Sequence, residues 1–256
     1  MKISEKFSLS GKSAIVTGAG KTTGLCFAMA SALHGAGAKV VLWDVLPEVH
    51  ALCEQLGGAA AGYYSVQADL RDVSAMEKGF EQAQALLGGQ VDILLNGAGL
   101  QHRCDAVDFP ADKWDLIIDV NLTAVFHLCQ IAGRQMIAQG SGKIINIASM
   151  TSYVASRRIP AYSASKGGVM QLTKALSNEW ASLGVNVNAI APGYMETELT
   201  ADNINTEHGR QHTMRIPMGR WGKPEDLAGA VVFLASPAAD YISGAIIPVD
   251  GGYLGA

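Results

Sequence analysis

Charge is scarce in this chain of 256 residues: Asp, Glu, Lys and Arg make up 16% of it, and 23 acidic against 19 basic side chains leave a formal charge of -4. No basic stripe is present to follow a phosphate backbone or an anionic bilayer, so neither nucleic acid nor a membrane surface is expected, and a small molecule is the better partner. Cysteine is sparse as well. Cys26, Cys53, Cys104 and Cys129 stand far apart with no C-x-x-C pair, and read as reduced thiols of a cytoplasmic protein. The first residues, Met1 to Lys6, carry charge where a signal peptide needs an apolar core. No run of about 18 uninterrupted apolar residues follows, so no membrane span is expected. Linkers, low-complexity tracts, charge blocks and short repeats are missing too, which favours one domain over residues 1–256.

What is present is glycine, 29 residues of it, and an apolar fraction of 49% arranged in a regular alternation. Ser13 to Thr17, Lys39 to Trp43, Gly62 to Val66, Val91 to Leu95, Lys143 to Ala148, Val185 to Ile190 and Ala245 to Val249 are short, mostly β-branched runs. Their near-continuous apolar character suits strands buried on both faces. Helical patterns lie between them: Thr22 to Gly35, Val73 to Leu87, Ala111 to Gln139 with a break, Ala161 to Leu183 and Pro224 to Leu234. Seven strands alternating with helices predict an α/β fold, a Rossmann-type, doubly wound parallel sheet with helices on both faces. The polar, turn-rich stretch 192–217 follows a strand end, where open α/β sheets bind ligands, and is a candidate substrate lid.

Directly after the first strand comes Thr17-Gly18-Ala19-Gly20-Lys21-Thr22-Thr23-Gly24, leading into an apolar helix. Glycines at such a turn let the backbone approach a pyrophosphate and aim amides and the helix dipole at it. Asp44 ends the second strand 20 residues after Gly24. A carboxylate there accepts from an adenosine ribose and repels a 2'-phosphate, which predicts NAD over NADP. The competing role for Asp44 is to cap the helix after Pro47. Asp69 and Leu70, after the third strand, are placed to meet adenine, although Asp69 serves equally as a helix-start residue. Asn96-Gly97-Ala98-Gly99 gives the fourth strand a second small-residue end.

Tyr162 and Lys166, four apart, share one helical face, where an ammonium stabilises the ionised phenol. A tyrosine titrates at roughly 10, so acid/base work near neutral pH asks for a downward shift of roughly two to three units. In this order, Thr17-Gly18-x-x-x-x-x-Gly24, Asn96-Gly97-Ala98-Gly99, Asn121, Ser149, Tyr162-x-x-x-Lys166 and Pro192-Gly193 resemble the motifs of the short-chain dehydrogenase/reductase family over essentially the whole chain. The resemblance implies catalytic roles for four residues. Tyr162 would be the general acid/base, Ser149 would orient and polarise the substrate oxygen, Lys166 would lower the Tyr162 pKa, and Asn121 would hold a water behind Lys166. It also implies that a dinucleotide contacts Gly18, Gly20, Thr22, Thr23, Gly24, Asp44, Asp69, Leu70, Asn96, Gly97, Ala98, Tyr162, Lys166, Pro192, Gly193, Met195 and Thr197.

Two positions depart from that pattern. Thr22 stands where a middle glycine is usual, which would strain the loop if a positive φ were required. Gly97 stands where Asn is common, a change expected to matter little.

The segments Gly142 to Met150, Asn186 to Met195 and Arg215 to Gly222 are similar to those of the sugar-acid dehydrogenases within the family, the gluconate and deoxygluconate group. That likeness implies an NAD-dependent oxidoreductase acting on a secondary hydroxyl or ketone of a sugar acid, and a homotetramer. Neutral sugar or polyol dehydrogenases, a 3-oxoacyl thioester reductase, and a silent NAD-binding sensor are the alternatives. Arg103 after the fourth strand, and Arg157 and Arg158 between Ser149 and Tyr162, offer guanidiniums suited to a carboxylate. The expected substrate residues are His102, Arg103, Met150, Arg158 and Tyr194. His208 and His212 are four apart, but with no third ligand a solvated helix face is expected rather than a metal.

Overall fold

The β-branched runs form β1 (Ser13–Thr17), β2 (Lys39–Asp44), β3 (Tyr63–Gln67), β4 (Ile93–Asn96), β5 (Gly142–Ile147), β6 (Val185–Pro192) and β7 (Ile246–Val249). They make one sheet in the order β3-β2-β1-β4-β5-β6-β7, every neighbouring pair parallel. The computed structural model describes residues 2–197, 200 and 204–256, and of His208 the backbone alone. The helices run α1 (Ile3–Lys6), α2 (Leu25–Gly35), α3 (Glu48–Gln55), α4 (Gly58–Ala61), α5 (Val73–Leu86), α6 (Ala111–Ile118), α7 (Ala124–Gln139) and α8 (Pro160–Trp180), and the crossovers that parallel neighbours need are supplied by α2, α3, α5, α7, α8 and the helix Ala228–Ala235.

Period-two alternation splits each central strand between two cores. Ala14, Val16, Val40, Leu42, Ile93 and Leu95 pack with α2, α3 and the helix Ala228–Ala235. Ile15, Val41, Trp43 and Leu94 pack on the other face with α5, α7 and α8. Side chains of this size contribute roughly 1.5 to 3 kcal/mol each when fully buried. By length and composition the stretch Ala111–Gln139 could cross a bilayer, but Leu128, Cys129, Ala132 and Met136 on its inner face are buried against the sheet.

Three expected boundaries move, each for a local reason. The helix expected from Thr22 begins at Leu25, because Gly24 is extended (φ -86°, ψ 151°) and serves as the N-cap. The break expected within Ala111 to Gln139 is a π-helical turn, Asp119–Thr123, between α6 (Ala111–Ile118) and α7, and it places Asn121 at its centre. The stretch expected to be irregular contains the helix Glu207–Met214, whose polar composition hides any apolar period; Thr206 caps it by accepting from Gly209 N at 3.0 Å. Positions 198–199 and 201–203 of the expected lid, and the His208 side chain, lie outside the described residues.

Chain reversal in order occurs between β1 and β4, so successive crossovers leave toward opposite edges and open a crevice above the carboxyl ends of these strands. Packing around the crevice is tight. A Cβ on Gly79 of α5 would stand 2.6 Å from the Trp43 indole, which is fully buried and donates to Ala68 O. Gly79→Ala is therefore expected to destabilise the fold: overpacking costs about 1 to 3 kcal/mol, against about 1 kcal/mol gained in helix propensity. Gly229→Ala, where a Cβ meets open space, should be neutral or stabilising; thermal denaturation of the two variants checks the contrast.

Candidate active site

At the switch point β1 and the turn after β4 close on each other. Thr17 Oγ1 accepts from Gly97 N at 3.0 Å and Ala98 N at 3.2 Å, and a Cβ on Gly18, which has φ +74°, would stand 2.8 Å from Ala98 Cα. Next along the loop, Gly20 N donates to Asp44 Oδ2 at 2.8 Å, and any Cβ at 20 would strike that carboxyl group. Asp44 Oδ1 accepts from Leu46 N at 3.1 Å, so the carboxylate also closes the turn after β2. The α2 N-cap, Gly24, has no side-chain cap, and the first-turn amides face the loop as an anion cradle. Thr22 is exposed and does not adopt a positive φ, so the strain feared for that position is absent. This glycine-lined, amide-rich crevice fits a dinucleotide, its pyrophosphate at α2 and its adenosine ribose beside Asp44.

Gly97 matters more than its sequence context suggested. The Cys26 sulfur occupies the place a Cβ would take, with Leu95 Cδ2 at 3.0 Å and Thr17 O at 3.1 Å completing the enclosure. Burial pushes the Cys26 thiol up to about 12, so it is a neutral filler. Asp69 is less free than expected: Arg71 Nε donates to both its oxygens at 3.0 Å, which holds the carboxyl below its usual range, while Leu70 beside it is half-buried. On the far side of the crevice, Gly193 N donates to Val249 O and a Cβ there would meet Asp250 Cα at 2.7 Å. Met195 bridges to Gly222, and Thr197 N donates to Thr200 Oγ1 at 2.9 Å.

The four expected catalytic residues converge beside that crevice. Ser149, after β5, caps a 3-10 turn by accepting from Thr151 N, while Ser149 N donates to Ser152 Oγ. Ser152 Oγ in turn donates to Lys166 O at 2.7 Å, joining the serine turn to α8. Lys166 is buried with Nζ donating to Ile147 O at 2.6 Å and lying 5.7 Å from the centre of the Tyr162 ring. Asn121, fully buried, donates to Leu100 O and Ser165 Oγ and accepts from Leu100 N. A Cβ on Gly99 would lie 3.5 Å from Asn121 Oδ1 and 3.7 Å from Lys166 Nζ, so this glycine leaves the two polar groups open to a common space.

The expected lowering of the Tyr162 pKa is not found in the protein by itself. Burial pushes the phenol up, with the Ser149 hydroxyl acting the other way. Burial also lowers Lys166 to about 8. A cationic nicotinamide ring would add the positive charge that the phenolate form needs.

Of the expected substrate residues, Met150 and Tyr194 share an apolar cluster with Ile216, Trp221 and Tyr253. His102 meets Phe109 edge-on at 5.5 Å. Arg158 has φ 68°, and its Nε pairs with Asp105 Oδ1 at 2.9 Å in a solvent-exposed ion pair. Arg103 forms no ion pair among the described residues. Thr17, Cys26, Ser152, Trp221 and Tyr253 were missed, because hydroxyl bridges and packing between distant segments leave no pattern in a linear sequence.

The Cys26–Gly97 packing carries a test. Gly97→Ala should destabilise the protein by about 1 to 3 kcal/mol and weaken dinucleotide binding, and Cys26→Ala in the same chain should restore both. Thermal denaturation and cofactor titration of the single and double variants measure this.

Comparison with known proteins agrees with the geometry. A family model described as Enoyl-(Acyl carrier protein) reductase matches residues 18–254. The chain is 44% identical to 2-dehydro-3-deoxy-D-gluconate 5-dehydrogenase of Bacillus subtilis (strain 168), over 98% of this chain and 97% of that one. It is 42% identical to a galactitol 2-dehydrogenase (L-tagatose-forming) of Cereibacter sphaeroides, over 96% of each. The crystal structure of a gluconate 5-dehydrogenase from Burkholderia cenocepacia J2315 in complex with NADP and tartrate superposes with a TM-score of 0.94 at 36% identity, over 100% of both chains. With its parallel seven-stranded sheet and full-length likeness to dehydrogenases acting on CH–OH groups, the chain belongs to the short-chain dehydrogenase/reductase family.

Proposed function

We propose that this protein is an NAD-dependent oxidoreductase that interconverts a secondary hydroxyl and a ketone on a sugar acid of the gluconate or deoxygluconate type. The observation that carries the reading is the meeting of Ser149, Tyr162 and Lys166 beside the glycine-lined crevice. Family membership supplies the coarser part, a nicotinamide-dependent reaction at a CH–OH group. Asp44 favours NAD, since a carboxylate beside the ribose repels a 2'-phosphate; the NADP bound by the Burkholderia relative makes this the point to measure. The enzyme would act in the cytoplasm as a homotetramer, with 192–217 closing over the substrate. A neutral polyol as substrate is the second reading, favoured by the likeness to the galactitol enzyme.

A bound nicotinamide provides the hydride acceptor or donor. Tyr162 takes the hydroxyl proton as the carbon gives up hydride, and returns it in the reverse direction. Ser149 donates to the same oxygen, which develops charge as the carbon–oxygen bond order changes. Lys166 holds positive charge near the phenol, and its link to Ile147 O keeps the ammonium from drifting away. Asn121 anchors Leu100 at both backbone groups, so the turn after β4 cannot collapse onto Lys166.

Oxidation requires the phenolate and reduction the phenol. Because burial pushes Tyr162 up, oxidation is expected to accelerate as pH rises from neutral into the alkaline range, and ketone reduction to slow over the same range. Initial rates in both directions test this. Tyr162→Phe should abolish turnover with cofactor Kd nearly unchanged; substantial residual activity would sink the acid/base assignment.

Asp44→Asn keeps an oxygen for Gly20 N but removes the charge. It is expected to shift kcat/KM toward NADP relative to NAD by about tenfold, equivalent to about 1.4 kcal/mol. A panel of aldonates, deoxyaldonates, polyols and hydroxyacyl esters separates the substrate readings. Arg103→Ala should raise KM for aldonates more than for polyols. Tight NAD binding with silence across the panel would favour a sensor.

A further inference from the structure

Arg158 has φ 68°, in the left-handed region that no other non-glycine among the described residues enters. Its neighbours force this. Ile159 is buried and precedes Pro160, which bars the helical region to it; with φ -134° and ψ 51° it feeds α8 from the core. The reversal out of the Ser149 loop is therefore absorbed one residue earlier, on a residue with a Cβ, at a conformational cost that glycine would not incur. Strain of this kind persists where surrounding contacts over-determine it.

Two contacts hold the reversal, both from the loop after β4. Cys104 N donates to Arg158 O at 2.9 Å, and Arg158 Nε donates to Asp105 Oδ1 at 2.9 Å. The ion pair is solvent-exposed and adds little by itself, so the main-chain bond is the firmer tie. That bond exists only while the left-handed conformation aims Arg158 O at Cys104 N. At the other end of the same loop, the buried Asn121 holds Leu100 at both backbone groups, and Gly99 borders Asn121 and Lys166. Gln101, His102 and Arg103 span the gap with no main-chain hydrogen bond of their own among the described residues. They leave the catalytic lysine between two anchors, Asn121 on one side and the Arg158 backbone on the other.

We propose that Arg158 is a positioning residue whose left-handed backbone, by docking on Cys104 N, sets where His102 and Arg103 stand against the substrate. The conformation carries the role and the guanidinium does not, so residues that tolerate a positive φ should replace Arg158 better than residues that resist it. The inference deepens the sugar-acid reading above and rests on it for the part that His102 and Arg103 play at the substrate.

The test compares Arg158→Gly, Arg158→Asn, Arg158→Ala and Arg158→Val by initial rates with NAD and two sugar acids, D-gluconate and 2-dehydro-3-deoxy-D-gluconate. All four variants lack the guanidinium and differ in how readily they take a positive φ. KM should rise in the order Gly, Asn, Ala, Val, with Val about tenfold above Gly, while kcat at saturation and the Kd for NADH change little. Should the Val variant not fold, the comparison of Ala with Gly, expected at about threefold, takes its place. In a chain already carrying His102→Ala and Arg103→Ala, the difference between Val and Gly should shrink to about twofold or less, because the effect travels through those two side chains. Equal KM in all four variants overturns the inference alone; a uniform rise would mark the guanidinium itself as the ligand. A difference that survives intact without His102 and Arg103, or a fall in melting temperature from Gly to Val with KM unmoved, marks a purely structural strain and overturns it too. A native protein that oxidises neither sugar acid overturns the sugar-acid reading and the inference with it.

Discussion

Everything that can bind or react in this protein depends on one hydroxyl between two strands that are distant in sequence. Thr17 Oγ1 receives the amides of Gly97 and Ala98, and so fixes the end of β1 to the turn after β4 where the strand order reverses. Crossovers diverge at this point, and without a bridge the crevice they open would have no defined floor. With it, Gly18 and Ala98 approach as closely as backbone allows. The amide cradle of α2 and the Asn96 to Gly99 turn are thereby held at a fixed separation, which is what recognition of an extended dinucleotide requires.

The catalytic pair depends on a second relay, through Ser152. This side chain accepts from Ser149 N and donates to Lys166 O, so the turn that carries Ser149 is tied to the helix that carries Tyr162 and Lys166. That coupling explains how two hydroxyls on separate elements can address a single oxygen. The electrostatics are deliberately incomplete: burial disfavours both the phenolate and the ammonium, and Lys166 has a backbone carbonyl rather than a carboxylate as its partner. A carboxylate would neutralise the ammonium and leave the phenol unassisted. The carbonyl orients Lys166 while leaving its charge available to the reacting centre.

The sheet was legible in the sequence because seven β-branched runs buried on both faces have few other ways to pack, and all seven strands lie within a residue or two of their expected positions. Asn121, Ser149, Tyr162 and Lys166 were legible as an ordered set. Less legible was anything decided by contact between remote segments. Gly97 looked like a harmless deletion of a side chain until Cys26 was found in the vacated space. The pairing of Arg158 with Asp105 likewise left no trace in the sequence. The helix Glu207–Met214 has no apolar period because it meets the body through polar side chains, His212 stacked on Tyr194 and Thr213 accepting from Trp221 Nε1. Periodicity reports burial of a continuous apolar face, and a helix held by polar side chains does not display one.

Asp44 shows why cofactor choice and loop architecture cannot be separated here. One carboxylate oxygen takes Gly20 N and the other takes Leu46 N, so the group that would face the ribose also holds the glycine loop and the turn after β2 in place. Replacing it with a small apolar residue would remove the charge that repels a 2'-phosphate and, in the same stroke, leave two amides without their acceptor. Poor use of both cofactors in such a variant would reflect a loosened loop and say nothing about charge. A replacement that keeps one acceptor oxygen comes nearest to isolating the electrostatic contribution, because it can still satisfy the Gly20 amide while the potential at the ribose changes and Leu46 N, in an exposed turn, is left to water.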